Sequence, residues 1–169
     1  MVTAVASSFL LTKFGRKTIL QWGTIGSVIT TGLIGLGFAI NSIAHGLSVG
    51  LILLGLFCYM ANFGLTLGPI VWMYIPEVVS PSFLPYSTMV NWGGAAASIL
   101  FFPIIKEHLP GENPSGLFFF FTAWSAVSFL VNQKFVIETM GKTQRQIKDE
   151  YQALQGETEK QREKEMEER

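Results

Sequence analysis

Between Thr18 and Ile137 the chain carries only five formal charges: Glu77, Lys106, Glu107, Glu112 and Lys134. A water-soluble domain needs roughly a quarter of its residues charged to cover its surface. This stretch therefore cannot be the body of a soluble globule. Its apolar residues come instead in runs of membrane-spanning length. A bilayer core takes about 20 helical residues at about 1.5 Å rise each, and Ile19–Ile40, Leu47–Ile75, Tyr86–Ile105 and Gly116–Ile137 all reach that length. Polar, Gly- and Pro-containing breaks separate them, at Asn41–Gly46, Pro76–Pro85 and Lys106–Ser115.

The expected organisation is an all-α, polytopic membrane protein. Its partial transmembrane domain covers residues 1–137, with spans at about 1–12 (truncated), 19–40, 47–75, 86–105 and 116–137, and a charged cytosolic tail follows over 138–169. The run Met1–Leu11 is apolar from its first residue, has no basic leader pattern, and is too short to span. It reads as the end of a helix. Orientation follows from the bias of Lys and Arg between the two sides. With four spans between them, the first loop and the tail share a side, which then holds Lys13, Arg16, Lys17, Lys134, Lys142, Arg145 and Lys148 against Lys106 alone on the other. Positive-inside places the tail in the cytoplasm.

Composition also excludes function classes. Twelve Lys and Arg balance twelve Asp and Glu, so no basic surface for nucleic acid is expected. The single cysteine, Cys58, lies within an apolar run and rules out a disulfide framework or a cysteine metal cluster. With no nucleophile–base pair or phosphate-binding glycine loop either, no catalytic residue, cofactor or metal is expected.

The stretch Gly64–Glu77 departs from a plain span. Gly68-Pro69 breaks the hydrogen-bond ladder of an apolar helix, because proline lacks an N–H and its ring clashes with the preceding turn. In lipid the freed carbonyl needs a partner in protein or in a water-filled cavity, so the kink is expected to face the protein interior. Trp72 follows the kink and can stack on the C–H face of a ligand while its indole N–H donates; as a belt residue at the interface it would look the same in sequence. Asn62, deeper in the same helix, and Asn91, in the next, each carry an amide that must find a ligand or a neighbouring helix. In the tail, Ile147, Tyr151 and Leu154 form a short stripe at helical spacing, read as a solvated cytosolic extension or, alternatively, as a helix that docks on a partner.

Three separated motifs resemble one family. Leu11-Thr-Lys-Phe-Gly-Arg-Lys17 resembles the cytoplasmic D-x-x-G-R-R/K loop of the major facilitator superfamily. Gly68-Pro-Ile-Val-Trp-Met-Tyr-Ile-Pro-Glu77, followed by Asn91-Trp92, resembles the G-P-x-x-W-x-x-x-x-E and N-W segments of its sugar porters. Ile137-Glu-Thr-Met-Gly-Lys142 resembles their P-E-T-K-G motif. The chain departs from these patterns at Thr12, which replaces the loop Asp, at Gly64 and Ala95, which replace polar positions, and at Ile137, which replaces Pro. The resemblance covers residues 3–151 and implies about four and a half helices of the C-terminal half of a twelve-helix carrier, with an N-terminal half as the partner.

What the resemblance implies is alternating-access transport of a hexose or similar small polar solute across a lipid bilayer. Trp72, Asn62, Asn91, Gly68 and Pro69 are the expected substrate-facing residues. Arg16, Lys17, Glu77 and Glu138, with Gly15 in the loop, are expected to form a cytoplasmic gate held by an ion-pair cluster. A non-transporting membrane subunit or structural remnant of such a carrier is the competing expectation.

Overall fold

The computed structural model describes Phe9, residues 13–108 and residues 113–167. The short span expected over residues 1–12, and Thr12 within it, lies outside the described residues apart from Phe9. Among the described residues every regular element is helical. These are α1 (Arg16–Ala39), α2 (His45–Leu65), α3 (Leu67–Val78), α4 (Leu84–His108), α5 (Ser115–Phe135) and α6 (Gln144–Glu167), with a 3-10 turn at Pro81–Phe83 leading into α4. Four stretches are long and apolar enough to cross a membrane: Arg16–Ala39, His45–Val78, Pro81–Ile105 and Ser115–Phe135.

Helix α1 is the hub, packed along α5 and along α2. Water drives no packing inside lipid, so close backbone approach has to hold such a pair together. The seam with α2 is cut to allow it. A Cβ at Gly37 would sit 2.7 Å from Ile52 Cγ1, and one at Gly55 would sit 2.6 Å from Ile34 Cγ1. Each helix thus offers a glycine to an isoleucine of the other.

The hub is polar as well as tight. Thr24, Ser27, Thr30 and Thr31 are buried on α1. Each hydroxyl donates to a carbonyl one turn back, for example Ser27 to Gly23 at 2.9 Å and Thr31 to Ser27 at 2.6 Å. Their donors are therefore satisfied inside the helix, which removes the main penalty for burying them away from water. Ser48, fully buried on α2, donates to the Gly37 carbonyl at 2.7 Å. On the opposite flank the Thr122 hydroxyl of α5 lies 3.0 Å from that of Thr31.

Helix α4 stands apart. None of its described side chains is buried, and it meets the rest at α3 and at the Pro81–Phe83 turn. Between Tyr86 and Ile105 it is mostly apolar and has no polar face, Asn91 being the exposed amide, so most of its surface suits lipid or further helices rather than water.

Beyond α5 the chain runs extended and turns back at Met140-Gly141. Lys142 N–H donates to the Thr139 carbonyl at 3.1 Å, and Gly141 takes φ +75°, the conformation a type II turn demands of its third residue. A capping box then starts α6: Thr143 N–H donates to Gln146 Oε1 at 2.9 Å and Gln146 N–H to Thr143 Oγ1 at 3.4 Å. Ile147 on its first turn is buried. The start of α6 is therefore docked on this chain's own bundle, where the stripe alone suggests a solvated extension or a helix for a separate partner.

Candidate functional site

The helix that the hydropathy pattern draws as one run is two. Its break falls at Thr66, with φ −122° and ψ −82°, between α2 and α3. Pro69 explains the position. Its ring excludes the carbonyl four residues back, that of Leu65, so the helix parts one residue later. Gly68 makes the corner possible, since a Cβ there would meet the Phe63 carbonyl oxygen at 3.1 Å. The outcome is a half-helix of 12 residues, bounded by extended Val79 at its far end.

Trp72 sits mid-way along this half-helix with its side chain 52% exposed, whereas Ile70 two residues earlier is completely buried. Asn91 is also exposed, on α4. Both lie on surfaces that these helices leave open. Asn62 is committed elsewhere. Its amide nitrogen donates to the Gly23 carbonyl at 2.9 Å and to Ser27 Oγ at 3.3 Å, both on α1. The space it fills exists because residue 26 is glycine, where a Cβ would come 2.3 Å from Asn62 Oδ1.

At the other end of the half-helix the structure brings together the consecutive residues Gly15, Arg16 and Lys17 with Glu77 and Glu138, which lie 61 and 122 residues from Arg16 in sequence. Arg16 Nη2 contacts Glu77 Oε1 at 3.2 Å, with both side chains largely shielded. Glu138 acts on backbone instead of on charge. Its two carboxylate oxygens accept the N–H of Arg16 at 2.7 Å and of Lys17 at 3.2 Å. These are orphan donors of the first turn of α1, whose N-cap, Gly15, has no side chain to offer. A negative charge there also complements the helix dipole. Gly15 is required sterically, because a Cβ on it would lie 2.0 Å from Glu138 Oε2.

Lys17 differs from expectation. Its ammonium donates to the Gln133 carbonyl at 3.1 Å, near the C-terminal end of α5, where cations are favoured. Among the described residues the cluster therefore contains one ion pair, Arg16–Glu77. The rest is charge-assisted hydrogen bonding to helix ends.

Two members were not legible in the sequence. Thr139, buried, donates its hydroxyl to Glu77 Oε2 at 2.5 Å. Tyr74 donates to the Ile137 carbonyl at 3.2 Å and pairs with the Tyr151 hydroxyl at 2.8 Å. The segment Ile137-Glu138-Thr139 thus engages α3 through its first and third residues and α1 through its second. Only the hydroxyl following Glu138, and a tyrosine at the polar end of an apolar helix, hinted at this. Among the described residues no group of three or more His, Cys, Asp or Glu could hold a metal ion.

Comparison with known proteins gives this arrangement a context. Residues 1–151 match the model of the family described as "Sugar (and other) transporter". The chain is 31% identical over 140 residues to hexose transporter 1 of Plasmodium yoelii yoelii, covering 79% of this chain and 26% of that protein. It is 31% identical over 158 residues to the glucose transport protein of a Synechocystis species, covering 87% and 33%. It is 30% identical over 161 residues to the glucose transporter GlcP of Staphylococcus epidermidis, covering 92% and 34%. The aligned region spans about a quarter to a third of the length of these relatives.

Proposed function

The chain belongs to the sugar (and other) transporter family, and from that premise we propose that its helices are part of a carrier moving a hexose or similar small polar solute by alternating access. The observation that carries this reading is the construction of α3. It is a half-helix that bends away from α2 at Thr66 and packs on Ile19 of α1 through Ile70. It bears Trp72 on an open surface and is tied near its far end by Glu77 and Tyr74. An element hinged at one end and releasably held at the other can alternate between two positions.

In this reading the solute lies between these helices and a second helical half, near the membrane midplane. Trp72 supplies an aromatic plate and an indole donor, and the Gly68-Pro69 corner sets the angle of that plate. Asn91, exposed on α4, is the second polar group offered to the solute. Asn62, Gly23 and Ser27 hold the fixed wall against which α3 moves. The cluster of Gly15, Arg16, Lys17, Glu77 and Glu138 lies at the cytoplasmic ends of its helices, with the tail on the same side. It is intact when the cytoplasmic face is closed and parts when that face opens. A single exposed ion pair contributes only about 0–1 kcal/mol, but several partly shielded contacts can bias an equilibrium of a few kcal/mol.

The test is uptake of radiolabelled hexoses into proteoliposomes holding these helices together with the half that completes the carrier. The expected result is saturable uptake, competed by unlabelled hexose and strongly weakened by Trp72→Ala. Uptake indifferent to Trp72→Ala would sink the assignment of α3 to the substrate wall.

A further inference from the structure

We propose that the Tyr151–Tyr74–Ile137 hydroxyl chain is the joint through which the tail helix α6 sets the position of half-helix α3. This rests on reading α3 as the moving element. The direction of the chain follows from its atoms. The Ile137 carbonyl can only accept, so Tyr74 must donate to it, at 3.2 Å. The one proton of the Tyr74 hydroxyl is then in use. Its oxygen lies 2.8 Å from that of Tyr151, so Tyr151 is the donor there. A tail residue thus feeds a bond into α3, and α3 passes one on to the segment that also carries Glu138 and Thr139.

Three features make this a joint and not an incidental contact. The half-helix is short and broken from α2 at Thr66, so a bond near its end acts on all of it. Tyr74 lies two residues from Trp72, and at 3.6 residues per turn the two side chains leave α3 on roughly opposite faces. A displacement of α3 at Tyr74 therefore moves the exposed Trp72 surface. The docked part of α6 is also locally fixed, by the Thr143–Gln146 capping box, by buried Ile147 and by an ion pair between Lys142 and Glu150 at 2.5 Å. The joint is uncharged, so it works alongside the Arg16–Glu77 pair without sharing its sensitivity to salt.

The experiment uses the whole chain in lipid nanodiscs, with two readouts. The first is hydrogen exchange of the amides from Ile147 to Tyr151. Tyr151→Phe removes one bond and should speed this exchange about fivefold, as loss of one modest hydrogen bond implies. Tyr74→Phe removes both and should speed it at least as much, and the double variant should match Tyr74→Phe alone. The second readout is acrylamide quenching of Trp72 in a background carrying Trp22→Phe, Trp92→Phe and Trp124→Phe. Tyr151→Phe should change that quenching even though residue 151 lies on a different helix.

Unchanged exchange in both single variants overturns the proposal, and so does a double variant whose effect is the product of the singles. Faster exchange that extends to α2 also overturns it, because the hydroxyls would then be holding the bundle and not α6. Faster exchange with unaltered Trp72 quenching would show α6 docked without governing α3, which equally ends the idea. Neither readout involves a sugar, so a failed uptake experiment and a failed joint are separate results.

Discussion

Glu138 caps the first turn of α1 from 122 residues away, its Oε1 accepting the Arg16 N–H at 2.7 Å. A helix start with no side-chain cap of its own is thereby made dependent on the segment that leaves the last span. The two ends of the described bundle are tied by one carboxylate.

That dependence can be measured. Glu138→Ala should destabilise the chain by about 1–2 kcal/mol, the range for loss of a good N-cap. Glu138→Gln should cost less, because its amide oxygen can still accept one N–H. Gly15→Ala should resemble Glu138→Ala, since its methyl group would occupy the carboxylate's place. Thermal unfolding in detergent, followed by tryptophan fluorescence, is the check. A Gly15→Ala protein as stable as the parent would show that Glu138 can cap from another position.

Glu77 is held on both oxygens, by Arg16 at 3.2 Å and by Thr139 at 2.5 Å. If this grip keeps the cytoplasmic side closed, Glu77→Gln and Thr139→Val should both move the access equilibrium toward the cytoplasm-open state, each by about tenfold, given that a hydrogen bond to a charged group contributes about 1.5–3 kcal/mol. The double variant should add little, because both substitutions act on one carboxylate. The assay is labelling of Met89→Cys, an exposed position one turn into α4 from the Pro81–Phe83 end, by an impermeant maleimide applied from the cytoplasmic side. It uses the complete carrier carrying Cys58→Ser. Shifts in opposite directions would contradict a shared role.

How much of this was readable in advance depends on the range of each interaction. Apolar run lengths show the spanning helices directly, because lipid thickness fixes what is needed. The break at Thr66 follows from Pro69, whose clash lies four residues back along the same chain. Asn62 marks itself as an amide that needs a partner, but its partner is a carbonyl on α1, Gly23, and any residue type could have supplied it. Glu138 shows the same limit. Its targets are backbone N–H groups more than a hundred residues away, and its charge invites an ion pair that geometry replaces with a cap. Lys17 likewise meets a carbonyl and not a carboxylate. Thr139 and Tyr74 act only because α3 ends beside the segment 137–139, a contact that no local pattern encodes.

Asn62 gives a prediction that separates packing from ligand binding. Asn62→Ala removes the bonds to Gly23 and Ser27 and leaves a gap beside Gly26, so it should lower stability by about 1–2 kcal/mol. If its whole role is in the α1–α2 seam, hexose KM in the complete carrier should stay within about twofold of the parent. Gly26→Leu should destabilise further, since the space for its side chain is already filled by the Asn62 amide. A large KM increase in Asn62→Ala with unchanged stability would move Asn62 from the seam to the solute.

Trp72 should show the opposite signature. Its side chain is 52% exposed, so Trp72→Ala removes little buried packing and should leave the unfolding temperature nearly unchanged. As a wall for the solute, the ring would supply stacking and one hydrogen bond. Losing both should raise KM about tenfold, equivalent to about 1.4 kcal/mol. Trp72→Phe keeps a stacking face and lacks the donor, so it should recover part of that loss and not all of it. Graded KM values in the order Trp, Phe, Ala, at constant stability, would place the ring against the solute. Equal KM in all three would leave Trp72 facing lipid, as a belt residue of the membrane interface.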